Sequence, residues 1–492
     1  MVRARGMPAR GMPGGRGNRS EVMGRESIWK LLFKFSGPAI IAMMVTSSYN
    51  LADAIFVGRL GAEAMAAMAV SMPIVMITMS MSMGTGIGAA SLIGRYLGAG
   101  QKEAANRVAG VAITTSILIS LFITIVCLAN LDGLLGLFGA SGPVLAPARA
   151  YVSIILAFTV VSKLSIVLSC IVRAEGNPVF SSGVQVGQSI LNIITDPIFI
   201  LGWGFIPAFG IAGAAGTTSV AWTLGTLTYI GYFVSGKSSF RLKPGDFIPD
   251  LKIIREIYRV GIASIARGAA GTVVQTVGNR TAASFGIITL AIKGILLRAS
   301  SFAFMPTMGI GQGVLPLVAY NFGAKQKGRV GEVIIKASMV GLIWGGICFV
   351  FVQFFPTQLV SIFNSDPDFL AEGVRAIRIF SIAFFTVGIQ MIMSFYFQGV
   401  GKGIASLILA SSRQVIFLLP AYFILPRFFG ATGIWLSFAV ADILSFIVTL
   451  TWTSISFRKM EIPFTLKAQP VLVADPSAAP AGGSSGESLG KV

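Results

Sequence analysis

The sequence predicts an all-α polytopic membrane protein, with twelve transmembrane helices in two pseudo-symmetric six-helix bundles. Three observations carry that prediction. The chain is 54% hydrophobic and 12% charged, with a mean hydropathy of +0.81, whereas about a quarter of the residues in soluble domains are charged. Apolar runs of roughly twenty residues, enough to cross ~30 Å of hydrocarbon as helix, recur along its length. The chain also repeats itself: Met83-Gly84-Thr85-Gly86-Ile87-Gly88 through Gly98-Ala99-Gly100-Gln101-Lys102 returns as Met308-Gly309-Ile310-Gly311-Gln312-Gly313 through Gly323-Ala324-Lys325-Gln326-Lys327. The shift that carries Met83 onto Met308 also places Ser169 on Ser394, Gly176 on Gly401 and Ser181 on Ser406. A β-barrel would show shorter segments of alternating polarity instead.

Taken in order, residues 1–27 carry Arg3, Arg5, Arg10, Arg16 and Arg19 among Gly, Met and Pro and read as a basic disordered tail. They do not form a cleavable signal, because the apolar run beginning near Ser36 is long enough to span and lacks a cleavage site. Met23 offers an alternative start. Ile28 to Phe35, with Trp29, Lys30 and Lys34, reads as a short interfacial helix. The first lobe, 28–234, holds spans at 36–58, 64–93, 105–129, 148–172, 179–202 and 211–234. A polar linker at 235–253 follows, and the second lobe, 254–457, holds spans at 254–280, 284–320, 331–355, 376–398, 404–425 and 433–456. The second and eighth spans exceed the bilayer thickness and should tilt, kink or project. The Ala-, Pro-, Gly- and Ser-rich tail, 458–492, reads as unstructured.

Six spans per unit is an even number, so both copies enter the bilayer from one side and the repeat axis lies along the membrane normal. Arg95, Lys102, Arg107, Arg173, Lys243, Lys325, Arg329, Lys402 and Arg458 gather on one side, with the N-terminal arginines. The positive-inside rule makes that side cytoplasmic, so both termini should lie inside the plasma membrane. The net charge of +19 is then topological and meets anionic lipid rather than nucleic acid. Cys127, Cys170 and Cys348 are isolated packing residues, and the absence of histidine removes His-based relays, metal sites and hydrolytic triads.

Polar residues inside the spans carry the functional information. Thr46, Asn50 and Asp53 follow i, i+4, i+7 spacing on the first span, and Gln185, Ser189, Asn192 and Asp196 extend the same pattern on the fifth. A carboxylate at membrane depth costs several kcal/mol unless it faces protein or water. Two stripes that each end in a carboxylate therefore argue for a shared hydrated cavity, ahead of a purely structural pair of satisfied acids. Pro197 lacks an N–H and frees the Ile193 carbonyl beside Asp196, which suits a hard cation or a proton-linked site. The second copy has Ala421 where the shift would place an acid, and its membrane charges are mostly basic: Arg267, Arg280, Lys293, Arg298 and Arg413, with Asp442. Lys163 lies mid-span in the fourth segment, where contact with substrate and pairing with an aspartate are equally open. Gly84-x-Gly86-x-Gly88 follows no soluble strand, so close helix packing outranks a nucleotide-binding reading.

In order and spacing, several segments resemble the multidrug and toxic compound extrusion (MATE) transporters over residues 28–458. They are Asn50-Leu51-Ala52-Asp53 followed by Val57-Gly58-Arg59-Leu60-Gly61, the twin Gly-x-Gly segments, Arg173-Ala174-Glu175-Gly176-Asn177, Asn192-Ile193-Ile194-Thr195-Asp196-Pro197 and Gly213-Ala214-Ala215-Gly216-Thr217-Thr218. The acids of the first lobe resemble the DinF-like branch, since the second-lobe acids typical of the NorM-like branch, in the seventh and tenth spans, are absent. The resemblance implies a V-shaped pair of bundles alternating between inward- and outward-facing states, and antiport of H⁺ or Na⁺. It also implies a cation site, for Na⁺ where Na⁺ is the coupling ion, at Asp53, Asn192, Asp196 and Thr218. A drug cavity at Tyr151, Gln185 and Ser189 and a helix bend at Pro38 are implied as well. Thr46, Asn50 and Lys163 join the cavity on the reading of their spans. Ser169 departs from the polar amide that relatives place there.

Three function classes follow. Ion-coupled efflux of amphipathic compounds by a monomer, with no cofactor beyond the coupling ion, leads. Flipping or export of a lipid-linked or polyanionic precursor is the alternative, because a basic second lobe suits a phosphate head group. A membrane transferase is disfavoured: it needs clustered aspartates for Mg²⁺, and Asp53, Asp196 and Asp442 are dispersed.

Overall fold

The computed structural model describes residues 19–204, 206–362, 366–464 and 466. Its helices follow the predicted spans. The first lobe comprises α1 (Ile28–Gly58), α2 (Ala62–Gly98), α3 (Lys102–Ala129), α4 (Leu145–Ala157), α5 (Thr159–Ala174), α6 (Pro178–Leu201) and α7 (Gly210–Val234). The second comprises α8 (Leu251–Ser284), α9 (Ile287–Gly323), α10 (Lys327–Phe354), α11 (Pro367–Ser381), α12 (Phe384–Gly399), α13 (Gly403–Ser411), α14 (Leu419–Phe429) and α15 (Ala431–Met460). Among the described residues nine helices are long and apolar enough to cross a membrane, counting α13–α14 as one, and two bent pairs raise this to eleven. The remaining helix, α7, is 25 residues long but diluted by Gly, Thr and Tyr.

The bent pairs correct the expectation of continuous fourth and tenth spans. The chain turns by 52° between α4 and α5 and by 44° between α11 and α12. Phe158 (φ −98°, ψ 5°) and Ala383 (φ −97°, ψ 8°) adopt nearly the same sparsely allowed conformation at these breaks. The repeat shift carries Phe158 onto Ala383, so the break belongs to the repeated unit. Neither proline nor glycine marks it. Between α13 and α14, Ser412–Leu418 forms a π-helical turn, a feature that often accompanies functional sites.

Two further expectations are corrected. Ile28 to Phe35 is not a separate interfacial helix but the first two turns of α1, which continues unbroken through Pro38. The tail expected to be disordered to residue 27 is folded from residue 19. Val22–Arg25 is a short helix, Met23 is fully buried, and the Met23 carbonyl accepts from Asn321 (3.1 Å) and Arg329 (3.1 Å). At the other end α15 runs to Met460 and Ile462 is buried, so the folded lobe extends past the expected boundary at 457. Residues 1–18 and 467–492 lie outside the described residues.

The two lobes meet through α2 against α8 and α9 against α1, the same contact produced twice by the repeat. Small residues permit it. A methyl group at Gly98 would collide with the Tyr320 carbonyl, and one at Gly323 with the Arg95 carbonyl. The repeat shift carries Gly98 onto Gly323 and Arg95 onto Tyr320, which makes this a pseudo-twofold pair. Ser91 Oγ donates to the Gln398 carbonyl (2.5 Å) and Ser36 Oγ to the Ile310 carbonyl (3.3 Å) across the same seam. The seam lies toward the face that carries the first and last described residues.

Candidate functional site

The two polar stripes face each other as their spacing required. Thr46 Oγ1 lies 3.3 Å from Ser189 Oγ and accepts from Gln185 Nε2 at 3.4 Å. Two turns further along both helices, Asp53 of α1 (5% exposed) and Asp196 of α6 (0%) lie within electrostatic reach of each other. Their satisfaction differs sharply. Thr217 Oγ1 donates to Asp196 Oδ1 at 2.5 Å. With the Asn192 amide turned so that its oxygen accepts from Thr218 Oγ1 (3.1 Å), its nitrogen donates to both Asp196 oxygens at 2.6 and 2.7 Å. In the opposite orientation Asn192 oxygen would face those carboxylate oxygens, so the turned amide is the physical one. Asp53 Oδ1, by contrast, is buried with no hydrogen-bond partner among the described residues.

Tyr49, one turn before Asp53 on α1, faces Thr218 and both acids. Tyr151 of α4 lies near the same two acids, so it sits with the acid cluster rather than along the cavity described next. Asn50 is exposed, unlike the neighbours of its stripe. Thr217 and Tyr49 escape a reading of the stripes alone. Thr217 stands in a segment already conspicuous in the sequence, and Tyr49 falls at i−4 from Asp53.

A cavity of about 70 Å³ continues from the stripes toward the seam between the lobes. Gln185, Gln188, Trp222 and Met79 line its first-lobe wall, and Gln312 comes from the second lobe. Arg173 stands at its end, buried, donating to Gln312 Oε1 across the seam and to Ser169 Oγ (3.2 Å). Ser169 also pairs with Ser181 at 2.8 Å, and Ser394 pairs with Ser406 at 2.9 Å in the second lobe. An arginine serves the second pair too: Arg267 Nη2 donates to Ser394 Oγ at 2.5 Å.

Lys163 does not line this cavity. Ser165, Ser169 and Arg173 line the interlobe cavity. Lys163 lies two residues before Ser165, about 200° round the helix, and lines a different space between α2, α3 and α5. It forms no ion pair with Asp196. The second lobe is also less basic than its sequence implied, because Arg413 pairs with Asp442 through Nε and Nη2. Lys336 pairs with Glu332 at 2.5 Å, and Lys293 donates to Asn279 Oδ1 at 2.6 Å.

The model of the MatE family matches twice, at residues 38–198 and 264–423, so the two matches fall on the two copies of the repeat. The chain belongs to the MatE family. Its relatives include the multidrug export protein MepA of Staphylococcus aureus (strain MSSA476), 28% identical over 424 residues, covering 85% of this chain and 92% of MepA. The MepA of Staphylococcus saprophyticus is 26% identical over 423 residues, with the same coverage of both chains. Among solved structures, a MOP superfamily transporter from Pyrococcus furiosus described as having a binding pocket of reverse polarity superposes with a TM-score of 0.85 at 25% identity. That match covers 90% of this chain and 99% of the other. Crystal structures of a MATE protein in straight and bent conformations give TM-scores of 0.86 and 0.84, each at 26% identity. They cover 90% of this chain and 99% and 98% of theirs. Membership in this family makes the protein a multi-pass membrane transporter rather than an enzyme.

Proposed function

We propose that this MatE protein is a secondary active exporter of amphipathic organic compounds, driven by antiport of H⁺ or Na⁺ through alternating access. On this reading it acts as a monomer in the plasma membrane with both termini cytoplasmic. The export of drugs by MepA relatives supports the substrate class, and the acid pair of the first lobe, beside second-lobe Glu332 and Asp442 that are each paired with a base, supports a DinF-like assignment. The carrying observation is Asp53, with a buried carboxylate oxygen that has no partner among the described residues, beside a second acid that accepts three hydrogen bonds from two donor groups. Such an oxygen needs a proton or a cation in the resting state.

H⁺ is the favoured ion. Asp196 is already satisfied by Asn192 and Thr217, and Asn192 would have to turn its oxygen inward before Na⁺ gained the ligand set Asp53, Asn192, Asp196 and Thr218. The interlobe cavity is far smaller than the ~300–1,000 Å³ that buries a drug-sized ligand, so substrate entry requires the lobes to part. Uptake into everted vesicles, with Na⁺ and pH gradients imposed separately, tests the proposal. Accumulation should follow the pH gradient, and transport that follows Na⁺ alone would overturn the choice of ion.

A second reading, movement of a lipid-linked or polyanionic precursor, draws on Arg173. Among the described residues this buried guanidinium bonds neutral partners, and it ends the cavity. Arg173→Met should leave export of organic cations intact and reduce that of anionic compounds if this reading holds. Rescue of a flippase-depleted strain by the wild type would favour it directly.

A further inference from the structure

Three polar stripes of the first lobe converge away from the acids. Thr78, Ser82 and Thr85 lie at i, i+4, i+7 on α2, Ser116 and Ser120 at i, i+4 on α3, and Thr159 and Lys163 at i, i+4 on α5, and all seven line one small cavity. All seven are buried, Lys163 at 7% exposure. The cavity admits the centre of a water-sized sphere over about 10 Å³, room for one such particle. No acidic residue lines it, and among the described residues Lys163 forms no ion pair.

The hydroxyls divide into two kinds. Thr78, Ser82 and Thr159 donate to carbonyls of their own helices or of the preceding turn, Val75, Thr78 and Ile155. Thr85 bonds the Met81 carbonyl and the Tyr258 hydroxyl. Ser116 Oγ, however, is buried with no partner among the described residues. The donors facing the cavity without a bond among the described residues are thus the Lys163 ammonium and the Ser116 and Ser120 hydroxyls. The break at Phe158 adds to them: α5 starts afresh at Thr159, so the positive end of a sixteen-residue helix opens on the same space. A desolvated ammonium inside a membrane protein demands a counter-charge, and nothing lining the cavity supplies one.

We propose that this cavity binds a single small monovalent anion of the halide class, held by Lys163 Nζ and Ser116 Oγ, as a fixed counter-charge that ties α2, α3 and α5 together. Phosphate, sulfate and carboxylate ligands exceed the space, which separates this site from substrate recognition in the interlobe cavity. The site is independent of the coupling ion, so it stands or falls apart from the transport assignment.

The test uses the full-length purified protein in detergent. Thermal unfolding is followed at constant ionic strength while sodium gluconate is replaced by sodium bromide, and crystals grown in bromide are examined for anomalous scattering. A saturable rise in the unfolding midpoint with bromide is expected, together with a single bromide peak beside Lys163 Nζ. Ser116→Ala should raise the half-saturating bromide concentration by about tenfold, as the loss of one hydrogen bond to a charged group predicts. Lys163→Met should abolish the dependence. If that variant fails to fold, the Ser116→Ala titration and the bromide peak decide alone. Equal midpoints in gluconate and bromide, or a cavity whose density is water without anomalous signal, would overturn the proposal.

Discussion

Two aspartates that look equivalent in sequence do unequal work in the fold. Asp196 is held by Thr217 and by the Asn192 amide, which reaches both its oxygens, whereas Asp53 Oδ1 has no partner among the described residues. Removing charge from Asp53 should therefore relieve the resting protein while depriving it of its ion. Asp53→Asn is expected to fold at least as well as wild type and to lose gradient-driven efflux in everted vesicles. Wild-type export rates in that variant would refute the assignment. Thr217→Ala takes a donor from a buried charge and should cost about 1.5–3 kcal/mol of stability, read as a lowered unfolding midpoint. Lys163 carries the opposite lesson. Its position along the span was plain from the sequence, but its direction was not, since a shift of two residues carries a side chain to the far face of a helix.

At the scale of elements, the repeat explains why glycines recur where helices of opposite lobes touch. Gly98 and Gly323 admit the Tyr320 and Arg95 carbonyls, and an added methyl costs about 1–3 kcal/mol of packing. Gly98→Ala or Gly323→Ala should shift the seam open by about tenfold or more. Cys170 is buried beside that seam with Arg173 and Gln312. With Cys127 and Cys348 replaced by alanine, its maleimide labelling rate should rise correspondingly in either variant. An unchanged rate would mean the seam is not the gate. The two copies also differ in one instructive way. Gly100 (φ +77°) has Lys325 (φ +57°) as its counterpart, and a lysine in the left-handed region is strained where glycine is not. Lys325→Gly should stabilise the protein by about 1 kcal/mol; a lowered unfolding midpoint would show that the lysine side chain compensates.

Over the whole molecule, the seam closes one face, and the acid cluster lies on the other side of the interlobe cavity. If the coupling ion works by repacking α1 against α6, a local event at Asp53 must change the separation of the lobes. Spin labels at exposed Ile55 of α1 and Ile287 of α9 should report a distance distribution that shifts between acidic and mildly alkaline buffer in wild type and stays fixed in Asp53→Asn. A shift that persists in the variant would place the sensor elsewhere.

Membrane class, repeat, the number of helical units and the two acidic stripes were legible in the sequence, because hydropathy and helical periodicity are properties of neighbouring residues. The family resemblance rested on segments whose order agrees with the matched family. Other features were decided only by tertiary structure. Phe158 and Ala383 break their helices without any local breaker residue. Asp196 takes a donor from Thr217 on the next helix of the lobe. The Arg173–Gln312 bond joins residues of different lobes. Each of these depends on which surfaces meet once the helices pack, and a pattern confined to one helix holds no information about the helix that will face it.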